Sequence, residues 1–182
     1  MTPIVQWLAN ATFAWVSILT PSAGSISPND LRHAIVRDVF EVVTDSAENP
    51  LFGGPHPRTM TALYLLSVAS FEGGFHPGVD SGRIRGDGGH SWCHTQILIG
   101  AGKTTEGWTG PDLIADRKKC FRAALHILHT AKRVCPYLKP QDRFSVYATG
   151  RCVSGVRAVR SRYERALSWY KANLLSLAPN AP

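Results

Sequence analysis

A mainly α fold with little or no sheet is what this sequence predicts, and three observations carry that prediction. Apolar residues recur at helical spacing in several separate segments, proline and glycine punctuate the chain between those segments, and no pair of stretches alternates as a hairpin would. With 182 residues and 44% hydrophobic content, the chain is long enough to bury one good core and short for two.

The elements follow in chain order. The amino terminus, "MTPIVQWLANATFAWVSILTPSAGSIS", holds an apolar run from Trp7 to Leu19 and no charged residue before Asp30. It lacks the basic leader of a signal peptide and is shorter than the ~20 residues of a spanning helix. The expectation is an apolar helix packed on the domain or on a partner, with an uncleaved export or membrane-contacting segment as the alternative. Residues 1–28 are thus set apart as an apolar segment and hinge, 29–178 as the folded domain and 179–182 as a tail.

From Asp30 to Thr44, Leu31, Ile35, Val39, Val42 and Val43 fall at helical spacing, with Asn29 or Asp30 available as a cap. A second helix is expected from Pro57, a residue suited to a first turn, through Met60, Leu63, Leu66 and Val68 to Phe71. Between Gly73 and Gly110 the chain is rich in Gly, Ser, Asp and His; a loop of this length inside a compact domain is usually functional. Only "TQILIG" within it resembles a short strand or helical turn. Helix resumes in "PDLIADRKKCFRAALHILHTAKRV", followed by a short one in "PQDRFSVYATG" and a longer one from Gly155 to Leu177.

Lys and Arg number 20 against 13 Asp and Glu, a formal charge of +7 that calls for an anionic partner. The five Arg between Arg151 and Arg165 are spaced as a solvated helix face rather than a basic tract, so no specific nucleic acid is expected. Four cysteines permit three pairings; proximity along the chain favours Cys93 with Cys120 and Cys135 with Cys152 in an oxidising space, against free thiols in a reducing one. His90, Cys93 and His94, with His126 and His129, have the residue types of a zinc site, but no HExxH or CxxC pattern organises them. The reading is a disulfide-tethered loop with surface histidines, without metal or cofactor.

The stretch "SVASFEGGFHPGVDSG" holds the chemistry. An apolar helix ending on Glu72, followed at once by Gly73 and Gly74, puts a carboxyl against the core while leaving it facing a loop. Desolvation disfavours the ionised form, so such a group can donate a proton near neutral pH, which is what protonation of a glycosidic oxygen requires.

"EGGFHPGVDSG", then "SWCHTQI", then "YATG" together resemble the lysozyme-like lytic transglycosylases, whose signature runs ESxFxPxAxS, GLMQI and YNxG. The resemblance spans Thr59 to Tyr163. It implies a lysozyme-like fold with a glycine-rich active-site loop, and it places Glu72 on the catalytic acid. Phe75 and Pro77 fall on FxP, Val79 on the Ala, Ser81 on the Ser, Gln96 and Ile97 on QI, and Tyr147 on the tyrosine near the acid. The chain departs from the pattern at Gly73 and Ala148 and in a longer loop before Gln96.

The resemblance implies cleavage of the MurNAc–GlcNAc bond of peptidoglycan glycan strands, with one Glu serving as acid and then as base to give a 1,6-anhydro product. The alternatives are a hydrolytic muramidase using Asp80 or Asp87 as its second carboxylate, and a scaffold that keeps the fold without activity. Substrate contacts are expected from Ser81, Asp87, Trp92, Gln96 and Tyr147: Gln96 pointing its amide into the cleft, Trp92 and Trp108 either stacking on sugars or anchoring the loop as buried residues, Tyr147 bonding Glu72. The small basic domain with an apolar leader suits a bacteriophage virion or an exported enzyme acting in the periplasm or wall, its first residues contacting membrane or tail proteins.

Overall fold

The computed structural model describes residues 28–177 of the chain, so the expectations for the apolar amino-terminal segment and for the tail lie outside the described residues. The fold is mainly helical. Its helices are α1 (Pro28–Thr44), α2 (Pro57–Glu72), α3 (Pro77–Asp80), α4 (Gly110–Ala115), α5 (Arg117–Val134), α6 (Ser145–Thr149) and α7 (Arg157–Leu177). Among the described residues, no helix is long and apolar enough to cross a membrane.

The core forms because α2 is apolar nearly all round. Met60 to Ala69 are all buried in it, so it runs through the middle with α1, α5 and α7 packed about it. Leu31, Ile35, Val39, Val42 and Val43 of α1 lie inside as their spacing predicts. Phe52, Tyr64, Phe144 and Tyr163 close one end, the Tyr64 and Phe144 rings 4.7 Å apart.

Three expectations are corrected here. The long loop contains a two-stranded antiparallel ribbon, β1 (Ser91–Trp92) with β2 (Ile97–Leu98), where no hairpin was expected. Two residues per strand are too few to show alternation. The helix expected through Pro111–Val134 is two helices broken at Asp116, whose carboxylate accepts the Lys118 N–H at 2.9 Å and so caps α5. Asn29 and Asp30 lie inside the first turn of α1, which begins at Pro28 and not at a cap they provide.

Both disulfides join the cysteines that proximity favours: Cys93 with Cys120 (Cα–Cα 6.1 Å) and Cys135 with Cys152 (5.6 Å). The first ties the turn of the ribbon to α5, and the second ties the end of α5 to the segment before α7.

Candidate active site

Glu72 is the last residue of α2. The helix stops there because Gly73 and Gly74 both turn their N–H groups back to the Ala69 carbonyl, at 2.9 and 3.1 Å, and Gly74 takes φ +57. His76 then caps α3, its Nδ1 accepting the Gly78 N–H at 2.9 Å, with Pro77 in the first turn. Gly73 has no room for a side chain: a Cβ there would lie 2.8 Å from the His94 carbonyl oxygen and 3.0 Å from His94 Nδ1.

The Glu72 side chain keeps 23% of its exposure, and its Oε1 accepts a short charge-assisted bond from Nη2 of Arg162, itself only 9% exposed. Burial raises the Glu72 carboxyl above its ordinary value; the Arg162 charge and hydrogen bond pull it back, and the Asp87 charge pushes it further up. The balance is a carboxyl that protonates more readily than a free one, with a cation beside it to receive its charge once the proton is given away.

Arg162, expected on a solvated face, is buried instead. It lies on the buried stripe of α7 between Val159 and Ala166, and Arg160 is bound to Asp142 at 2.9 Å. The signal for Arg162 was its place, three residues after one apolar position and four before another. Such a stripe admits an arginine only where an anion faces it.

Asp87 sits at φ +49 in a turn with Gly88 and Gly89, its Oδ2 receiving the buried Ser91 hydroxyl. Its charge is felt by Glu72, whereas Asp80 is held elsewhere: Arg117 Nη1 reaches both its oxygens at 3.1 Å, and His94 Nε2 lies 3.1 Å from Oδ1. Although burial opposes it, these partners hold the Asp80 carboxyl below its ordinary value. Of the two candidate second carboxylates, Asp87 is the one whose charge acts on Glu72.

The other residues expected to contact substrate have these partners within the protein. Gln96 does not present its amide to a cleft: Oε1 accepts the Gly86 N–H at 2.8 Å and Nε2 donates to the Cys93 carbonyl at 2.9 Å, clamping the turn that carries Asp87. Tyr147 donates to the Thr95 carbonyl, not to Glu72, though it lies close enough for the Glu72 charge to help burial raise its phenol. Trp92 is stacked by the Arg85 guanidinium at 4.4 Å, and Gly110 packs so close to the indole that a Cβ there would meet its ring atoms. Ser81 ends α3, its hydroxyl 3.3 Å from the Gly78 carbonyl and 3.1 Å from Arg83 Nε. Trp108 is half-buried under Lys119, 5.9 Å away.

His94 is wholly buried under Gly73, not on the surface, and Cys93 is in a disulfide. No group of three His, Cys, Asp or Glu among the described residues is placed to hold a metal ion.

Backbone strain concentrates at the same place. Every non-glycine residue with positive φ among those described, Phe75, Asp87, Cys93 and Gln96, lies in the loop that follows Glu72. Such conformations cost on the order of 1–3 kcal/mol each and persist where the surroundings enforce them. The disulfide, the Gln96 clamp and the Tyr147 bond supply that enforcement. Compared with protein-family models, curated proteins and solved structures, the chain shows no match in any of the three.

Proposed function

We propose that the protein cleaves the MurNAc–GlcNAc glycosidic bond of peptidoglycan on a lysozyme-like fold, with Glu72 as general acid and then general base. The supporting observation is Glu72 itself: a half-buried carboxyl with a raised pKa, paired to Arg162, at the edge of a strained glycine-rich loop. Protonated Glu72 gives its proton to the leaving oxygen as the sugar moves toward an oxocarbenium ion. The carboxylate so formed is stabilised by Arg162 in a low-dielectric setting, and then takes the proton from the muramic 6-hydroxyl as that oxygen closes on the anomeric carbon. This lytic transglycosylase chemistry needs no second carboxylate.

A hydrolytic reading stands beside it on one observation, an Asp87 carboxylate held by the Ser91 hydroxyl whose charge acts on Glu72. There, Asp87 would activate water or hold the developing cation. A strained, clamped loop around a poised acid is more than an inactive scaffold would need.

The test is to incubate the protein and Glu72→Gln with purified peptidoglycan and identify the sugar ends by mass spectrometry. Anhydro ends, lost by about 10²–10⁴-fold in the variant, are the expected result. Reducing ends, abolished by Asp87→Asn, would establish the muramidase, and no release from walls of several chemotypes would sink both.

A further inference from the structure

Building on the cleavage reading, we infer that Arg85 is a carboxylate-recognition residue at the lip of the Glu72 loop, binding an acidic group carried by the glycan strand. The source of that group is a stem-peptide carboxylate or the free lactyl carboxylate of peptide-free muramic acid. Cleavage chemistry itself does not call for such a residue.

The argument starts from how Arg85 is held. It lies directly across from Trp92, because Gly86 pairs with Ser91 in an antiparallel bridge, and its guanidinium sits 4.4 Å above the indole ring. The indole is held in turn: its Nε1 donates to the Gly100 carbonyl at 3.1 Å, and a Cβ on Gly110 would lie 2.1 Å from its ring. Gly86, the next residue, is fastened by Gln96. Arg85 is therefore a flat cation on a rigid platform, with much of its side-chain entropy already lost before any ligand arrives.

Its charge, however, has no counter-ion. No carboxylate among the described residues pairs with Arg85, although the chain carries salt bridges on Arg37, Arg117, Arg122, Arg160 and Arg162. The nearest acid in sequence, Asp87, is turned to Ser91 instead. The guanidinium lies over the turn that carries Asp87, Nη2 being 4.0 Å from where a Gly89 Cβ would be, and the Asp87 charge is one of those that act on Glu72. A planar, preorganised, unpaired guanidinium matches a carboxylate in shape as well as charge.

The experiment compares the wild type, Arg85→Ala, Arg85→Lys and Arg133→Ala on three substrates. These are intact strands, strands stripped of stem peptides, and strands whose carboxyl groups have been converted to neutral amides. Arg85→Ala is expected to raise KM about tenfold on one of the acidic strands, as loss of a charge-assisted bond should, with kcat little affected. The strand on which it does so identifies the source. On neutralised strands the wild type loses its advantage, while Arg85→Lys falls between the two because it keeps charge without the fork.

Arg133→Ala removes the same unit of charge from an exposed position on α5 and leaves KM unchanged. A deficit of Arg85→Ala that persists on neutralised strands, or no deficit anywhere, overturns the proposal and makes Arg85 a brace for Trp92. Sedimentation of the same proteins with insoluble strands reads the contact without turnover. A wild type that binds through Arg85 and cleaves nothing would separate this inference from failure of the catalytic one.

Discussion

Glu72 is governed by two neighbours of opposite sign, and their effects on the pH dependence have opposite directions. Burial raises its carboxyl, Arg162 lowers it, and Asp87 raises it. If Glu72 must be protonated at the outset, activity falls as pH rises through its pKa. Arg162→Met removes the lowering influence, so the alkaline limb moves to higher pH, with a lower maximum because the developing carboxylate has lost its counter-ion. Asp87→Asn removes a raising influence and moves that limb down. A pH–rate series on the three proteins checks this, and shifts in the same direction would show that Glu72 is not the titrating group. The residue-level site was only partly legible in sequence. Glu72 stood out because an acid ending an apolar helix before two glycines is conspicuous. The partners of Gln96, Tyr147 and Trp92 were not, since a side chain's bonding depends on which distant atoms the fold brings to it, and Trp92 is covered by residues on either side of it in sequence.

At the scale of elements, the glycine-rich loop is held against the rest by ion pairs as well as by the ribbon. His126 of α5 faces Glu48, from the α1–α2 connection, at 2.9 Å on one side and Glu106, from the loop before α4, on the other. A neutral imidazole has one N–H to give, so satisfying both carboxylates requires the imidazolium. Burial works against that charge, yet the two carboxylates outweigh it and raise His126 above its ordinary value; Glu106, despite its own burial, is lowered by bonds from Thr104, His126 and Thr105. Arg122 completes the cluster by pairing with Asp45 and Glu48, while His129 and Lys132 bind the Asn49 and Leu51 carbonyls. The sign follows from these directions. The His126 contribution is complete below the ordinary histidine pKa and is lost as pH rises through the raised one. The Glu106 contribution is present above the ordinary carboxylate pKa and is lost as pH falls through the lowered one. Thermal stability should thus peak at mildly acidic pH and decline toward alkaline pH, and His126→Gln should flatten that decline; an unchanged slope in melting curves across pH would refute it. The helices were largely readable because their apolar periodicity is local, as Leu31 to Val43 shows. The break at Asp116 and the two-residue strands were hidden, the first because its cap lies within a continuous helical pattern, the second because the ribbon is held by Cys93, Gln96 and Tyr147 rather than by strand propensity.

On the scale of the whole molecule, the two disulfides are unequal in what they hold. Each closes a loop, of sequence separation 27 for Cys93–Cys120 and 17 for Cys135–Cys152, and the chain-entropy estimate gives each about 3–4 kcal/mol of stabilisation. By stability alone, then, they are nearly interchangeable, and removing either as a double alanine variant should lower Tm on the order of 10 °C. By position they differ. Cys135–Cys152 joins the far end of α5 to the segment before α7 and holds no residue of the ribbon. Cys93–Cys120 fixes the ribbon turn whose Gln96 clamps Gly86 and whose Thr95 receives Tyr147. Those contacts keep Asp87 and the strained backbone in place beside the acid, and a displacement near 1 Å at a catalytic group can cost about a hundredfold in rate. Measured well below both melting temperatures, Cys135→Ala/Cys152→Ala should turn over peptidoglycan nearly as the wild type does, whereas Cys93→Ala/Cys120→Ala should lose most of its activity while remaining folded by circular dichroism. Equal activities for the two variants would mean that helix packing alone positions the loop, and that the Cys93 bridge serves stability like its counterpart.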